Sequence, residues 1–394
     1  MDLNGGDLEI GDVIRYTITL NETAGTAAEF VTVTDDLPTQ VFDLNVVFIS
    51  ALLVCLKFGL PVEWLCGFIL VGGFIQLSMH VVAYLSFNFG FSLNPWGQWK
   101  QFKKVLIKFA ICLPSVSAEE IGLFVDTSFG SFLPVGSISL IYYANRFMGI
   151  PLGVFATAFS TILLPHFSRV GSYAPKRLSF YLLEATKFVL WVMIPVGLVM
   201  GLFSEKIFYT LFLGKKFTLI QVQEAGHILV AFLIGLGFSA LNKVLRNVYY
   251  ALHETRIPGF IAIGATAVNI VLNWLFITSF QAVGIALATS LAAGIQTLFL
   301  FYFLHRSFSF KLYILNLLKF LGFYLLQIVI CSVPFLVVYY GVENILALSN
   351  SSLALWFLHG VGFWVWIAPL CSLFALVLYT SRRMCKVDIY FLGS

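Results

Sequence analysis

What most constrains this chain is a series of apolar runs, each about as long as a bilayer interior is thick. A hydrocarbon core of roughly 30 Å takes about 20 helical residues to cross. Runs of this kind lie near residues 45 to 59, 64 to 88, 105 to 128, 135 to 164, 181 to 204, 222 to 250, 257 to 278, 282 to 304, 316 to 340 and 355 to 380. No water reaches that depth to satisfy an open backbone, so each run is expected to be a helix. Composition points the same way, with 60% hydrophobic residues, 11% charged residues and a mean hydropathy of +0.94. These values lie far outside the range of soluble globular domains. The expected class is an all-α polytopic membrane protein of about ten transmembrane helices.

The net charge of +4 says more as a distribution than as a sum. Lysine and arginine concentrate in alternate loops, around Lys100 to Lys104, Arg169 to Arg177, Arg256, Arg306 to Lys311 and Arg382 to Lys386. The loops between them hold only Lys57, Lys206, Lys215 and Lys216. The positive-inside rule places the first set, and with it the C-terminus, in the cytoplasm. Cysteines at 55, 66, 112, 331, 371 and 385 form no CxxC and have no paired histidines, so neither a disulfide framework nor a zinc site is expected. No cleavable signal peptide is expected either, because the first apolar run begins after residue 44.

Residues 1–44 differ in kind from the rest of the chain. Nine acidic residues stand against the single Arg15, and Ile14, Tyr16, Ile18 and Leu20 alternate before a Gly/Thr/Ala turn and the stretch FVTVTDD. This pattern predicts a two-stranded hairpin. The wording GDVIRYTITLNETAGTAAEFVTVTDDLP resembles the repeated β-sandwich domains of bacterial surface proteins. Two strands alone are marginal, and charge topology would put them on the cytoplasmic side. They are expected to be a foreign or misjoined segment. A basic linker from Trp96 to Lys108 is expected to lie as an amphipathic helix on the membrane surface.

Chemistry concentrates between Pro114 and Arg169, where two apolar helices carry Glu119, Glu120, Asp126 and Arg146. An ionisable group at bilayer depth costs about 2.5 to 3.5 kcal/mol on insertion scales and is a functional candidate by default. The plainer reading is a buried ion pair that fixes helix register. Ser139, Arg146 and Gly153 are seven apart and share a helix face with Gly149, so small residues leave room beside one long cation. Pro151 withholds a backbone hydrogen bond from the Phe147 carbonyl and permits a bend beside that charge. Glu119 and Asp126, also seven apart, can face the same space. A guanidinium in such a cavity suits phosphate or carboxylate, which it binds bidentately. Lys187 is expected at the membrane interface. GLGFSA at 235 to 240 mimics a dinucleotide fingerprint but follows no strand, so helix packing is expected there.

The segment DTSFGSFLPVGSISLIYYANRFMGIPLGVFATAFSTILLPHFSR resembles the central helices of the MurJ/MviN family, the flippases of the peptidoglycan precursor lipid II. LFLGKKFT at 211 to 218, NKVLRNVYYALHETRIP at 242 to 258 and GIALATSLA at 284 to 292 extend the resemblance. It implies two lobes that alternately open a cationic cavity, with 45–92 as a helix pair of the N-lobe and 93–394 as a C-lobe of eight transmembrane helices. It also implies that Arg146 and Ser139 meet a pyrophosphate headgroup. Asn145 and Gly149 stand where the family often has acids, and Glu120 where a glutamine is common. Arg246 and Lys243 either snorkel or meet headgroups. Some family members bind sodium through a pattern that Asp126, Asn269, Asn273, Thr289 and the Ile285 carbonyl fit. Asparagines at this depth also commonly bond just to a neighbouring helix.

The resemblance covers counterparts of the last ten of the family's fourteen spans, so the chain is expected to be at best a partial transporter of lipid II or a similar polyprenyl-pyrophosphate lipid in the bacterial inner membrane. The alternatives are a multidrug or polysaccharide-lipid exporter of the same broad fold, or a membrane-anchored surface binding module. No nucleophile and base pair, phosphate loop or metal triad is visible, so neither an enzyme nor a nucleic-acid partner is expected.

Overall fold

The computed structural model describes residues 15–18, 31–34, 53–86 and 99–392, apart from 56, 60, 62, 174, 215–216, 309–312, 350–351, 361 and 386. The chain divides into two units, residues 1–98 and 99–394. In the first, β1 (Arg15–Ile18) pairs antiparallel with β2 (Val31–Thr34), setting Tyr16 opposite Val33 and Ile18 opposite Val31. The alternation in the sequence thus gives a ladder, and the remainder of the 1–44 segment lies outside the described residues. Helix α1 (Glu63–Ser86) comes next and is apolar along its length. Of the span expected at 45 to 59, only 53–55 and 57–58 are described as helical.

The second unit is helical. Helices α2 (Trp99–Val116) and α3 (Ala118–Gly130) come first. Trp99 to Lys108 is helical as expected and forms the opening turns of α2, which continues to Val116. Helix α4 (Ser137–Pro151) passes into a π-helical segment, Leu152–Thr157, and then into α5 (Ala158–Tyr173). Pro151 has no N–H to give to Phe147, and the chain absorbs this with a wider turn in which Thr157 Oγ1 donates back five residues to the Leu152 carbonyl at 3.1 Å.

Helices α6 (Pro175–Leu202) and α7 (Ser204–Phe212) lead to α8 (Leu219–Ile234) and α9 (Leu236–Ala251). Helix α8 begins with a capping box, in which the Thr218 hydroxyl accepts from Gln221 N–H and the Gln221 amide accepts from Thr218 N–H. The span expected at 222 to 250 is broken at Gly235, where α8 and α9 meet at 41°. Helix α10 (Arg256–Phe308) is two spans joined at Gln281, whose backbone leaves the helical region. The turn depends on Gly284, because a Cβ there would come within 2.5 Å of the Phe276 carbonyl oxygen. Helices α11 (Ile314–Leu348), α12 (Ser352–His359) and α13 (Gly362–Ser381) complete the bundle, and a short turn at Tyr390–Leu392 folds back on it.

Five of the described helices are long and apolar enough to cross a membrane, or six when α8 and α9 count as one bent span. The fold is all-α and polytopic. The expected count of ten separates the two arms of α10 and includes segments that are shorter, broken or outside the described residues.

Two apolar clusters form the interior. One gathers Ala144, Phe167, Leu178, Ile228, Val244, Leu245, Tyr249 and Leu300 from α4 to α10. The other gathers Phe203, Phe320, Tyr324, Phe335, Phe363, Ile367, Val387 and Ile389. Trp364 and Phe391 pack against both. Several buried polar groups find partners on other helices, as lipid gives them none. Tyr249 Oη donates to the Leu300 carbonyl at 2.7 Å, Tyr324 Oη to that of Trp191 at 2.6 Å, and Gln327 Nε2 to that of Leu378 at 2.7 Å.

Lys187 is largely buried and paired. Its Nζ lies 2.6 Å from Glu184 Oε1, and Glu184 Oε2 accepts from the Tyr390 N–H at 2.8 Å.

Candidate functional site

A cavity of about 810 Å³ opens among α3, α4, the π-helical segment, α9 and α10. Each wall is charged or polar for a local reason. On α4, Arg146 and Asn145 border it, and so do Gly149 and Gly153, beside which an added Cβ would meet nothing within 4 Å. The expected open space next to the cation is therefore present. Arg146 Nη2 donates to Tyr142 Oη at 2.6 Å, and its guanidinium lies 4.9 Å from the centre of the same ring. This i, i−4 contact on one helix face aims the charge.

On α3, Glu120 and Asp126 border the cavity, while the side chain of Glu119 is outside the described residues. On α9, Asn242, Lys243 and Arg246 do so, joined by Gln296 of α10. Ser139 is exposed and does not border the cavity, although it shares the heptad face with Arg146.

The α9 wall is held by a polar network that sequence reasoning did not single out. Asn242 Nδ2 donates to the Ala293 carbonyl at 3.1 Å and to Gln296 Oε1 at 3.2 Å, and its Oδ1 accepts from Thr297 Oγ1 at 2.8 Å. On the other side of α9, Asn247 Nδ2 donates to the Ser160 carbonyl at 2.6 Å and to its hydroxyl at 2.7 Å. The available signal was the recurrence of asparagine at 242 and 247 within an apolar span.

The second constellation assembles on the same cavity. Asp126 is buried, and its Oδ1 accepts from Asn273 Nδ2 at 3.1 Å while its Oδ2 accepts from Thr289 Oγ1 at 2.8 Å. Asn269 Nδ2 donates to Thr289 Oγ1 at 3.0 Å, Asn269 Oδ1 accepts from Asn273 Nδ2 at 3.2 Å, and Thr289 Oγ1 lies 3.2 Å from the Ile285 carbonyl. All five residues expected from spacing and resemblance thus converge. Asp126, Asn269 and Thr289 also line the cavity, so the two seats adjoin.

The donor set fits an alkali cation. It offers hard oxygens with one carboxylate to balance one charge, and it leaves Asn273 Oδ1 buried without a hydrogen-bond partner. A divalent ion fits less well, since among the described residues no cluster of three His, Cys, Asp or Glu side chains could hold a metal.

A bundle of bent membrane helices around a charged internal cavity defines the class: a polytopic all-α membrane protein whose chemistry lies inside its spans. A family model described as "Lipid II flippase MurJ" matches residues 39–358, and the chain belongs to that family. It is 32% identical over 242 residues to a protein of Vibrio cholerae described as "Probable lipid II flippase MurJ", an overlap of 60% of this chain and 45% of that one. It is 31% identical over 245 residues to a protein of the same description from Haemophilus influenzae, covering 59% of this chain and 47% of that one. The chain spans about half the length of the curated relatives it matches. A solved structure described as "Lipid II flippase MurJ, inward closed conformation" shares the fold, with a TM-score of 0.63 at 23% identity over 86% of this chain and 66% of that one.

Proposed function

We propose that this chain serves the translocation of lipid II, or a similar polyprenyl-pyrophosphate lipid, across the bacterial inner membrane for cell-wall synthesis. The observation that carries this reading is the cavity itself, where Arg146, Lys243 and Arg246 face one space against Glu120 and Asp126. With Asp126 engaged by Asn273 and Thr289, the remaining balance favours an anion. Arg146, aimed by Tyr142, offers the planar fork that pairs with a pyrophosphate, and Asn145 and Arg246 offer further donors. The chemistry is transport, since such a site binds and releases without breaking a bond. Lysine and arginine placement argues for a cytoplasmic C-terminus.

Asp126, Asn269, Asn273, Thr289 and the Ile285 carbonyl would hold a sodium ion. When bound, the ion supplies a charge that neutralises the carboxylate and satisfies the orphaned Asn273 oxygen. The residues themselves tie α3 to α10.

The two seats are separable by substitution. In nanodiscs, Arg146→Ala is expected to weaken binding of a polyprenyl-pyrophosphate lipid by about 10- to 100-fold, the worth of one or two charge-assisted hydrogen bonds, and to leave sodium binding intact. Asp126→Ala is expected to abolish sodium binding while headgroup binding persists. Wild-type lipid affinity in the Arg146 variant would refute the anion seat.

A further inference from the structure

Thr289 and Ser290 are neighbours in α10 and reach opposite ways. Thr289 turns to Asp126 and Asn269. Ser290 is buried, and its Oγ donates to the Ala231 carbonyl at 2.7 Å, with the Phe232 carbonyl at 3.2 Å. Those carbonyls lie at the break between α8 and α9. There the Gly235 N–H bonds to Phe232, three residues back at 3.0 Å, so the four-residue ladder does not continue. The Ser290 hydroxyl thus takes up bonding capacity that the break leaves at Ala231.

The contact at this point is nearly backbone against backbone. A Cβ placed on Gly235 would lie 2.7 Å from Ser290 Cα and 2.7 Å from its Oγ. With no side chain on the Gly235 side, no rotamer is available to absorb movement, and packed interiors pass displacement on rather than damp it. Beyond the break, α9 carries Lys243 and Arg246 along the cavity wall.

We propose that Thr289 and Ser290 form a joint through which occupancy of the Asp126 cluster by a cation sets the bend at Gly235, and with it the position of Lys243 and Arg246 in the cavity. The proposal rests on the cation reading of that cluster. Ser290 is a positioning residue, acting on the cavity through the bend. A ligand shifts such an equilibrium only if it interacts differently with the two arrangements, and Thr289 supplies that difference by being both a cluster member and the covalent neighbour of Ser290.

The experiment uses the full chain in nanodiscs, with native cysteines replaced and spin labels at Ile220 and His253, exposed positions toward the two ends of the bent span. Inter-label distances are measured in sodium chloride and in choline chloride, and sodium binding is measured on the same samples. The wild type is expected to bind sodium and change its label spacing, and Asp126→Asn to lose both. Ser290→Ala is expected to bind sodium and lose the change in spacing.

An unchanged shift in Ser290→Ala overturns the joint and leaves the cation seat standing. Absence of sodium binding by the wild type overturns the cation seat and the joint together. Should Ser290→Ala yield no folded protein, wild type against Asp126→Asn decides. Sodium bound by the wild type with no change in spacing rules the joint out, and a sodium-dependent change absent from Asp126→Asn upholds it.

Discussion

Glu184 and Lys187 show what a single buried charge costs. The Glu184 side chain is only 5% exposed, and its carboxylate is divided between the Lys187 ammonium and the Tyr390 N–H. Replacing Lys187 with methionine leaves that carboxylate buried without its counter-ion, a change worth about 3 to 5 kcal/mol. Glu184→Gln takes the counter-ion from Lys187, but its amide oxygen can still accept a hydrogen bond and Lys187 is the more exposed of the two, so it should cost less. Unfolding temperatures in detergent would rank the two, and a loss in Glu184→Gln as large as in Lys187→Met would overturn that order. The sequence displays both residues three apart but cannot display the third partner, which lies 206 positions away. The Asp126 cluster was legible for the opposite reason. Its asparagines repeat at i, i+4 on one helix, and Thr289 repeats with Ile285 at the same spacing, so local periodicity carried most of the geometry. Ser139 marks the limit of that logic, because a shared helix face fixes direction but not how far along the helix the cavity extends.

Helix boundaries divide in the same way. Expected spans at 257 to 278 and 282 to 304 match the two arms of α10, because Gln281 and the glycine after it interrupt a pattern that is otherwise apolar. The break between α8 and α9 was not legible, since Ser290, which takes up the carbonyl the break leaves, is distant in sequence. The turn in α10 makes a paired prediction. Gly284→Val sets a side chain against the Phe276 carbonyl and should prevent the arms from closing, whereas Gly264→Val in the same helix meets nothing within 4 Å and should be tolerated. Yield of monodisperse protein on size exclusion would check this, and equal yields would show that the turn has slack. The basic start of α2 is helical as its composition suggests, and the helix runs on to Val116. Its charges and aromatics do suit a surface, but nothing at Phe109 or Ala110 stops the helix.

For the molecule as a whole, membrane character was the most legible property, because it depends on composition summed over hundreds of residues rather than on any one contact. Orientation rests on the same kind of sum. A cysteine at Met384, an exposed position after α13, should resist a membrane-impermeant maleimide on intact cells and react in inverted vesicles. Labelling from outside would reverse the proposed topology. What composition could not convey is that the interior is two clusters meeting at Trp364 and Phe391. Phe391 rests on Phe159 and Phe188 with ring centres 5.6 and 6.3 Å apart, although it comes after every helix described. Helices of a membrane protein enter the bilayer as they are synthesised and pack afterwards. The seam between the clusters therefore has a fixed place in time: a nascent chain halted after Ser381 would carry every one of these helices and still wait, unsealed, for the six residues from Val387 to Leu392.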